Sequence, residues 1–326
     1  MKLLFLNGSR GEWGYIRPII DLCKTRNIDY GICVTNMLLL QSYGLLAKEI
    51  QETGYRIVDE IFMSLEGGNH HAMTKSMGIF LMSFVETINR ERPDWVILAG
   101  DRGEQLMGAV AAAYTYTPVA HIQAGERSGN IDGVARHAIG KLVHMHFAAN
   151  QDAAERLIRL GEENFRVHNV GAPQLDELVQ KTLPSRTDIS KKLNLPVNSP
   201  FLLVVQHSVT EEMVAASKQV EELTRALQRF DIQKVWILPN NDAGSLSVRR
   251  SLLSHRSVNT QIFDNLTRTD YLALLRYCEA IVGNSSSGLL EAPTFGTPAV
   301  NLGRRQADRV QGLNVINADF EIEKIT

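Results

Sequence analysis

The sequence predicts an α/β protein of two doubly wound, Rossmann-like domains with a cleft between them. Three observations predict it. Short apolar runs alternate with longer amphipathic stretches through the first half of the chain. The alternation loosens around Pro173, Pro184, Pro196 and Pro200, and it then resumes in the same order. Runs such as Trp95–Ala99 and Phe201–Val205 have no polar interruption, as expected of strands covered on both faces of a parallel sheet. A repeated strand–helix order puts helices on both of those faces. At 326 residues the chain has room for two domains of ordinary size. The boundary falls in the proline-bearing span, giving a first domain of residues 1–172, a linker of 173–199 and a second domain of 200–326.

Taken in order, residues 3–6 read as a strand, 8–11 (GSRG) as a turn and 13–25 as a helix. A strand at 30–34, a helix at 39–52 and a weak strand at 56–58 follow. Residues 64–71 (SLEGGNHH) are polar and glycine-bearing, which predicts a mobile loop. Met77, Phe80, Leu81, Phe84, Val85 and Ile88 recur at helical spacing and predict a core helix over 74–90. Strands at 95–99 and 118–122 flank a helix at 104–114, and helices follow at 131–145 and 152–160. A short helix at 175–181 lies in the linker. The second half predicts strands at 201–205, 235–238, 261–263, 280–282 and 299–302. Helices there fall at 210–230, 247–253, from a Thr269-Asp270 cap to 277, and at 288–295.

Composition narrows the function. The chain is 44% hydrophobic and 21% charged, ordinary for a soluble globular protein. A net charge of −2 gives no reason to expect nucleic acid or an acidic membrane as partner. Cys23, Cys33 and Cys278 are scattered and read as small core residues of a reducing compartment. The apolar run at the N-terminus is too short for a signal-peptide core, and no stretch approaches the ~20 apolar residues of a membrane span. The expected location is the cytoplasm. No metal site is expected: His70-His71, His144 and His146 lack spaced acidic partners. No GxGxxG follows the first strand, which argues against NAD, and no cofactor is expected.

The chemistry concentrates in residues 100–137. Asp101 follows one predicted buried strand, Glu126 follows the next, and Asp132 lies just beyond, with Arg127, Arg136 and His137 close by. Ligands of open α/β sheets bind beyond the carboxyl ends of strands, so acids at two such ends can converge on one ligand. Singly, each acid reads as a cap or a solvated loop residue. In the second half, Gly283-Asn284-Ser285-Ser286-Ser287-Gly288 follows a strand and opens a helix, an arrangement suited to phosphate although it is not a Walker loop. Glu291 could accept hydrogen bonds from ribose hydroxyls. Arg10 in the first loop offers a fork-shaped donor for a diphosphate. His207 follows the 201–205 strand, and Arg304, Arg305 and Arg309 add positive charge after the last strand.

These motifs resemble the hydrolysing UDP-N-acetylglucosamine 2-epimerases and the wider superfamily around them. The likeness runs through the whole chain and is most specific in GSRGEWGYIRP at 8–18, GDRGE at 100–104, HIQAGERSGNIDGVARHAIGKLVHMHF at 121–147, NVGAPQLDE at 169–177 and GNSSSGLLEAPTFGTP at 283–298. The resemblance implies domains of the glycosyltransferase-B type, with a UDP-sugar as partner. It implies that Asp101, Glu126 and Asp132 are catalytic and that Arg10, His207, Ser285, Ser286, Glu291 and Arg309 hold the nucleotide, and Arg136, Ser287 and Gly288 are expected to bind substrate beside them. Tyr15, Leu38 and Gln123 stand where the non-hydrolysing branch carries Lys, His and Glu, while Glu126 and Asp132 match the hydrolysing branch, so release of a free sugar is the expected outcome. The implied substrate is UDP-N-acetylglucosamine or UDP-diacetylbacillosamine, in sialic or legionaminic acid or surface polysaccharide biosynthesis. The alternatives are non-hydrolysing epimerisation, a glycosyltransferase of the same architecture, and a non-catalytic sugar-nucleotide-binding protein. Relatives are often dimers or tetramers, so a homo-oligomer is expected. C-terminal helices that relatives carry beyond the last strand are expected to be missing here.

Overall fold

A computed structural model describes residues 1–180, 182–197, 199–255 and 259–326. Lys181 and Asn198 of the expected linker lie outside them. The chain divides into two compact units, Met1–Glu177 and Leu178–Thr326.

In the first unit seven strands are described: β1 (Lys2–Asn7), β2 (Asp29–Thr35), β3 (Ile57–Ile61), β4 (Trp95–Ala99), β5 (Val119–Ala124), β6 (Met145–Ala148) and β7 (Val167–Asn169). They form one sheet in the order β3-β2-β1-β4-β5-β6-β7, and every pair is parallel. The helices are α1 (Arg10–Thr25), α2 (Leu46–Glu52), α3 (His70–Glu91), α4 (Gly103–Tyr114), α5 (Ile131–Leu142), α6 (Gln151–Arg159) and the first residues of α7 (Gln174–Gln180), within which the unit ends. Strand residues alternate between two cores. Phe5, Ile32, Val34 and Ile97 pack with Trp13, Ile16 and Ile20 of α1 and Ile50 of α2. Leu4, Leu6, Val96 and Leu98 pack with Phe80 and Phe84 of α3, Ala109 of α4 and Ile139 of α5. The helix expected at 74–90 is therefore a core helix on one face of this sheet.

The second unit repeats the plan. Its strands are β8 (Phe201–Val205), β9 (Gln233–Ile237), β10 (Thr260–Phe263), β11 (Ala280–Gly283), β12 (Ala299–Leu302) and β13 (Val315–Ala318). Their order is β10-β9-β8-β11-β12-β13, again all parallel. Its helices are α8 (Arg186–Lys192), α9 (Ala216–Gln228), α10 (Ser245–Ser254), α11 (Arg268–Tyr277), α12 (Ser287–Leu290), α13 (Ala292–Phe295) and α14 (Ile322–Ile325). In each sheet the strand order reverses beside the first strand, between β1 and β4 and between β8 and β11. Ligands gather at such reversals.

Several local expectations are corrected. The first helix begins at Arg10, because Ser9 and Glu12 close a capping box, so Arg10 and Gly11 are helical and not part of a turn. The helix expected at 39–52 is two 3₁₀ turns and then α2, separated where Gly44 and Leu45 take left-handed backbone. His70 and His71 belong to the first turn of α3, capped by Asn69. The helix expected to reach residue 145 stops at Leu142, and Met145 begins β6. The segment 210–215 is 3₁₀, with α9 starting only at Ala216. Thr267, not Thr269, caps α11. The helix expected at 288–295 is two single turns interrupted at Glu291, because Pro293 has no N–H and its ring collides with the carbonyl four residues back.

Candidate active site

In the first unit the expected acids fall at the carboxyl ends of β4 and β5. Asp101 lies two residues past β4, and Arg136 reaches it from the second turn of α5. Ser128 Oγ donates to the same Asp101 oxygen at 3.0 Å. Arg136 is buried, and its other terminal nitrogen donates to the Gln123 carbonyl at 2.5 Å. One guanidinium thus joins the ends of two neighbouring strands. Burial opposes its charge, yet Asp101 and Glu126 outweigh burial and hold its pKa above the usual value. Glu126 is itself buried, and Asn150 Nδ2 donates to it at 3.0 Å. Asp132 is in the first turn of α5, one turn before Arg136, and accepts from Asn130 Nδ2 at 2.8 Å.

Two further groups complete this cluster. Gln123 has left-handed backbone, φ 62°, which an L side chain adopts only when its surroundings impose it. Its side-chain amide donates to Gln174 Oε1 of α7 at 3.0 Å. Leu38, where the non-hydrolysing branch carries His, is core beneath the sheet. Buried His121 meets the Gly100 carbonyl at 2.6 Å through Nε2, which must carry the proton because a carbonyl only accepts. Burial pushes its pKa down to about 3, so the ring is neutral and fixes Gly100 beside Asp101. His137 is also held below its ordinary value, by burial first and then by Arg136, Arg156 and Arg127.

In the second unit Asn284 ties the reversal point together. Its Oδ1 accepts from the His207 N–H at 2.8 Å, and its Nδ2 donates to the His207 carbonyl at 2.9 Å. His207 Nδ1 accepts from the Asn240 N–H at 3.1 Å, which leaves Nε2 as the protonated nitrogen of the neutral ring. Before Asn284, Gly283 has φ 129°, and a side chain there would run into the Val205 carbonyl. Ser285 Oγ and Ser287 Oγ are 2.9 Å apart, and Tyr271 bonds to Ser287. Burial raises the Tyr271 pKa, with nearby Glu291 adding to it, so the phenol stays protonated. Glu291 is oriented by Arg268 Nη2 at 2.6 Å. Arg305 and Gln306 both donate to the Asn284 carbonyl, at 3.2 and 3.0 Å. Arg309 is buried and bonds Gln306 at 2.8 Å.

The structure therefore gathers Asp101, Glu126 and Arg136 into one group, with Asp132 on the helix that carries Arg136. It separately gathers His207, Ser285, Ser287, Glu291, Arg305 and Arg309. Ser286 is the N-cap of α12 and Gly288 lies in its only turn. Arg10 is half-buried in the first turn of α1. Arg304 instead lies toward Glu212, at 3.8 Å. Sequence reading missed Ser128, Asn150, Arg268 and Tyr271. Each acts on its partner from 16 to 27 residues away, and no local motif marks such pairs. Among the described residues no cluster of His, Cys, Asp and Glu could hold a metal ion, and no helix is long and apolar enough to cross a membrane.

Two parallel sheets, a serine-lined loop at one reversal and a carboxylate–arginine group at the other define a two-unit α/β enzyme of the sugar-nucleotide type. The chain belongs to the UDP-N-acetylglucosamine 2-epimerase family, whose model matches residues 21–326. It is 35% identical over 328 residues to the UDP-N,N'-diacetylbacillosamine 2-epimerase (hydrolyzing) of Legionella pneumophila, covering 99% of this chain and 86% of the relative. It is 31% identical to a UDP-N-acetylglucosamine 2-epimerase of Neisseria meningitidis, covering 99% and 85%. The fold matches the Methanocaldococcus jannaschii UDP-GlcNAc 2-epimerase solved with UDP-GlcNAc and UDP. That match has a TM-score of 0.80 at 19% identity and covers 100% of this chain and 91% of that one.

Proposed function

We propose that the protein is a hydrolysing 2-epimerase of a UDP-2-acetamido sugar, releasing UDP and the free 2-epimerised sugar. The observation that carries the reading is the composition of the first-unit group. Asp101 and Glu126 face one buried arginine and Asp132 lies one turn before it on the same helix, while Gln123 presents a neutral amide that can neither take nor give a proton. Proton transfer therefore falls to Asp101, Glu126 and Asp132.

The reaction runs in two steps. One base removes the proton on carbon 2 while the bond from carbon 1 to the diphosphate breaks, giving a glycal and UDP. Water then adds, its hydroxyl to carbon 1 and a proton to the opposite face of carbon 2. The carbon 2 proton is weakly acidic, so breakage of the bond to UDP runs ahead and builds positive charge on the sugar. Carboxylates beside that charge stabilise it, and positioned donors stabilise the departing diphosphate. Ser285, Ser286, Ser287, the first turn of α12, Arg309 and Arg10 are the donors assigned to the diphosphate, with Arg136 orienting the acids. His207 carries its proton on Nε2 and can donate as well. Glu291, set by Arg268, is assigned to the ribose hydroxyls.

The identity to the Legionella protein favours UDP-diacetylbacillosamine as substrate over UDP-N-acetylglucosamine. Incubation with each nucleotide sugar, water being the sole acceptor, tests the class and the preference together. The expected result is UDP and a free 2-epimerised sugar, formed faster from the diacetylated substrate. A product still linked to UDP would replace this reading with non-hydrolysing epimerisation. Tight binding of both substrates without turnover would make the protein a sensor.

A further inference from the structure

Two buried carboxyl groups of the first unit take no part in the reaction as described. Glu12 and Glu104 are each 2% exposed, and they reach Gly8 from two sides. Glu12 Oε2 accepts from the Gly8 N–H at 2.5 Å and from the Ser9 N–H at 3.1 Å. The Glu104 carboxyl fills the space that a Cβ at residue 8 would need, so only glycine permits the approach. Glu12 comes from the helix that Arg10 begins, and Glu104 from the helix that follows Asp101. Glu12 also lies against Gly100, its Cγ 4.0 Å from where a Cβ at that residue would stand. The two carboxyls thus join the loop after β1 to the loop after β4.

Their charges do not balance. Arg102 Nε binds Glu104 Oε1 at 3.0 Å, and among the described residues it is the cation that acts on Glu12. Among the described residues Glu12 Oε1 is buried with no hydrogen bond of good geometry, and Gln105 is the donor beside this carboxyl. Two adjacent carboxylates out of water do not both ionise against a single guanidinium. Oε2 of Glu12 already accepts twice, so a proton on this group sits on Oε1.

We propose that Glu12 and Glu104 form a one-proton latch that holds the loop after β1, which leads into Arg10, to the loop after β4, which carries Asp101, and that Glu12 is a positioning residue for turnover. Removing the proton places two like charges against Gly8 and forces the loops apart. Glu104 and Arg102 are the charged groups facing Glu12, Gln105 is beside it, and Tyr15 of its own helix lies against Gly100. Burial first, and then Glu104, raise the Glu12 pKa to about 8, against the pull of Arg102, the Gly8 amide and Gln105.

The activity arm of the test rests on the hydrolytic reading above. kcat/KM for UDP release is measured from neutral to alkaline pH for the wild type, Glu12→Gln and Glu104→Gln. The wild type is expected to lose activity with a midpoint near 8, about tenfold per pH unit beyond it, as loss of one required proton demands. Glu12→Gln keeps the neutral shape. It is expected to stay within about fivefold of wild type at neutral pH, the scale of one altered neutral hydrogen bond, and to lack the alkaline loss. Glu104→Gln leaves no second charge to repel, so it too should lack that loss. An alkaline loss unchanged in both variants overturns the latch. A second arm needs no activity and no variant. The infrared carbonyl band of a buried protonated carboxyl should be present in the wild type at neutral pH and vanish with a midpoint near 8. Its absence at neutral pH overturns the latch. Absence of turnover in the wild type would instead remove the hydrolytic reading and leave this arm to decide.

Discussion

The loops at the two sheet reversals are joined by different chemistry. After β8 and β11 the joint is one neutral side chain, Asn284, bonded to both backbone groups of His207. After β1 and β4 it is a pair of buried carboxyls around Gly8, with Asp101 and Arg136 alongside. The diphosphate exchanges no proton with carbon and gains negative charge as it leaves, so hydroxyls, amides and arginines at a glycine-shaped loop suit it. Moving a proton on and off carbon requires groups that titrate, and these are costly to bury unless they are paired. The joint of the second unit is accordingly a neutral amide with hydroxyls and arginines around it, and that of the first is built on carboxyl groups that can titrate.

The sharpest way to break this division is to neutralise the acids one at a time. Asp101→Asn, Glu126→Gln and Asp132→Asn are each expected to cut kcat by about 10²–10⁴-fold, the usual contribution of a positioned acid or base. UDP affinity, measured by calorimetry, should stay near the wild-type value in all three. Full activity in Asp132→Asn would remove that residue from the set.

Gly283→Ala attacks the other unit. Its backbone, at φ 129°, and the Val205 carbonyl leave no room for a methyl group. The substitution is expected to cost ~1–3 kcal/mol in thermal unfolding and to weaken UDP binding. Wild-type UDP affinity in this variant would contradict the role given to the serine loop.

Glu291→Gln is milder. Hydrogen bonds to a charged group contribute ~1.5–3 kcal/mol, so nucleotide affinity should fall about tenfold to a hundredfold. The effect should appear in KM with kcat nearly unchanged. A loss confined to kcat would move Glu291 from binding to chemistry.

The smallest effect at neutral pH belongs to His121. Its folded pKa of about 3 lies below the 6.5 usual for a histidine. Between those values the unfolded chain takes up a proton that the folded ring refuses, so stability falls as pH drops below 6.5 and is fully present above it. The slope is at most about 1.4 kcal/mol per pH unit. Melting temperature against pH for His121→Gln should show a shallower acid limb than the wild type. An identical limb would show that this ring does not set it.

Much of this was legible in the sequence. Uninterrupted apolar runs located β4 and β8, and the acids and serines at strand ends located both groups. Short or exposed elements escaped notice. β7 has three residues, none of them buried, and β13 is an edge strand with two exposed positions. α8 was hidden because the prolines around it read as linker. Ser9 and Glu12 at capping-box spacing mark the start of α1, a signal masked by the turn-like glycines Gly8 and Gly11 beside it. What no local pattern carries is pairing at a distance. Arg136 meets Asp101 across 35 residues and Gln123 meets Gln174 across 51, and only the folded sheet brings them together.

Hydrolytic 2-epimerisation by the carboxyl group of the first unit is the central claim, and deuterated water tests it most directly. The protein is incubated in it with UDP-diacetylbacillosamine, and the position of the label is read by NMR. Deuterium at carbon 2 of a free, 2-epimerised sugar, with stoichiometric UDP, is the predicted result. Deuterium at carbon 2 of a sugar still bound to UDP, or UDP release with no label at carbon 2, would contradict it.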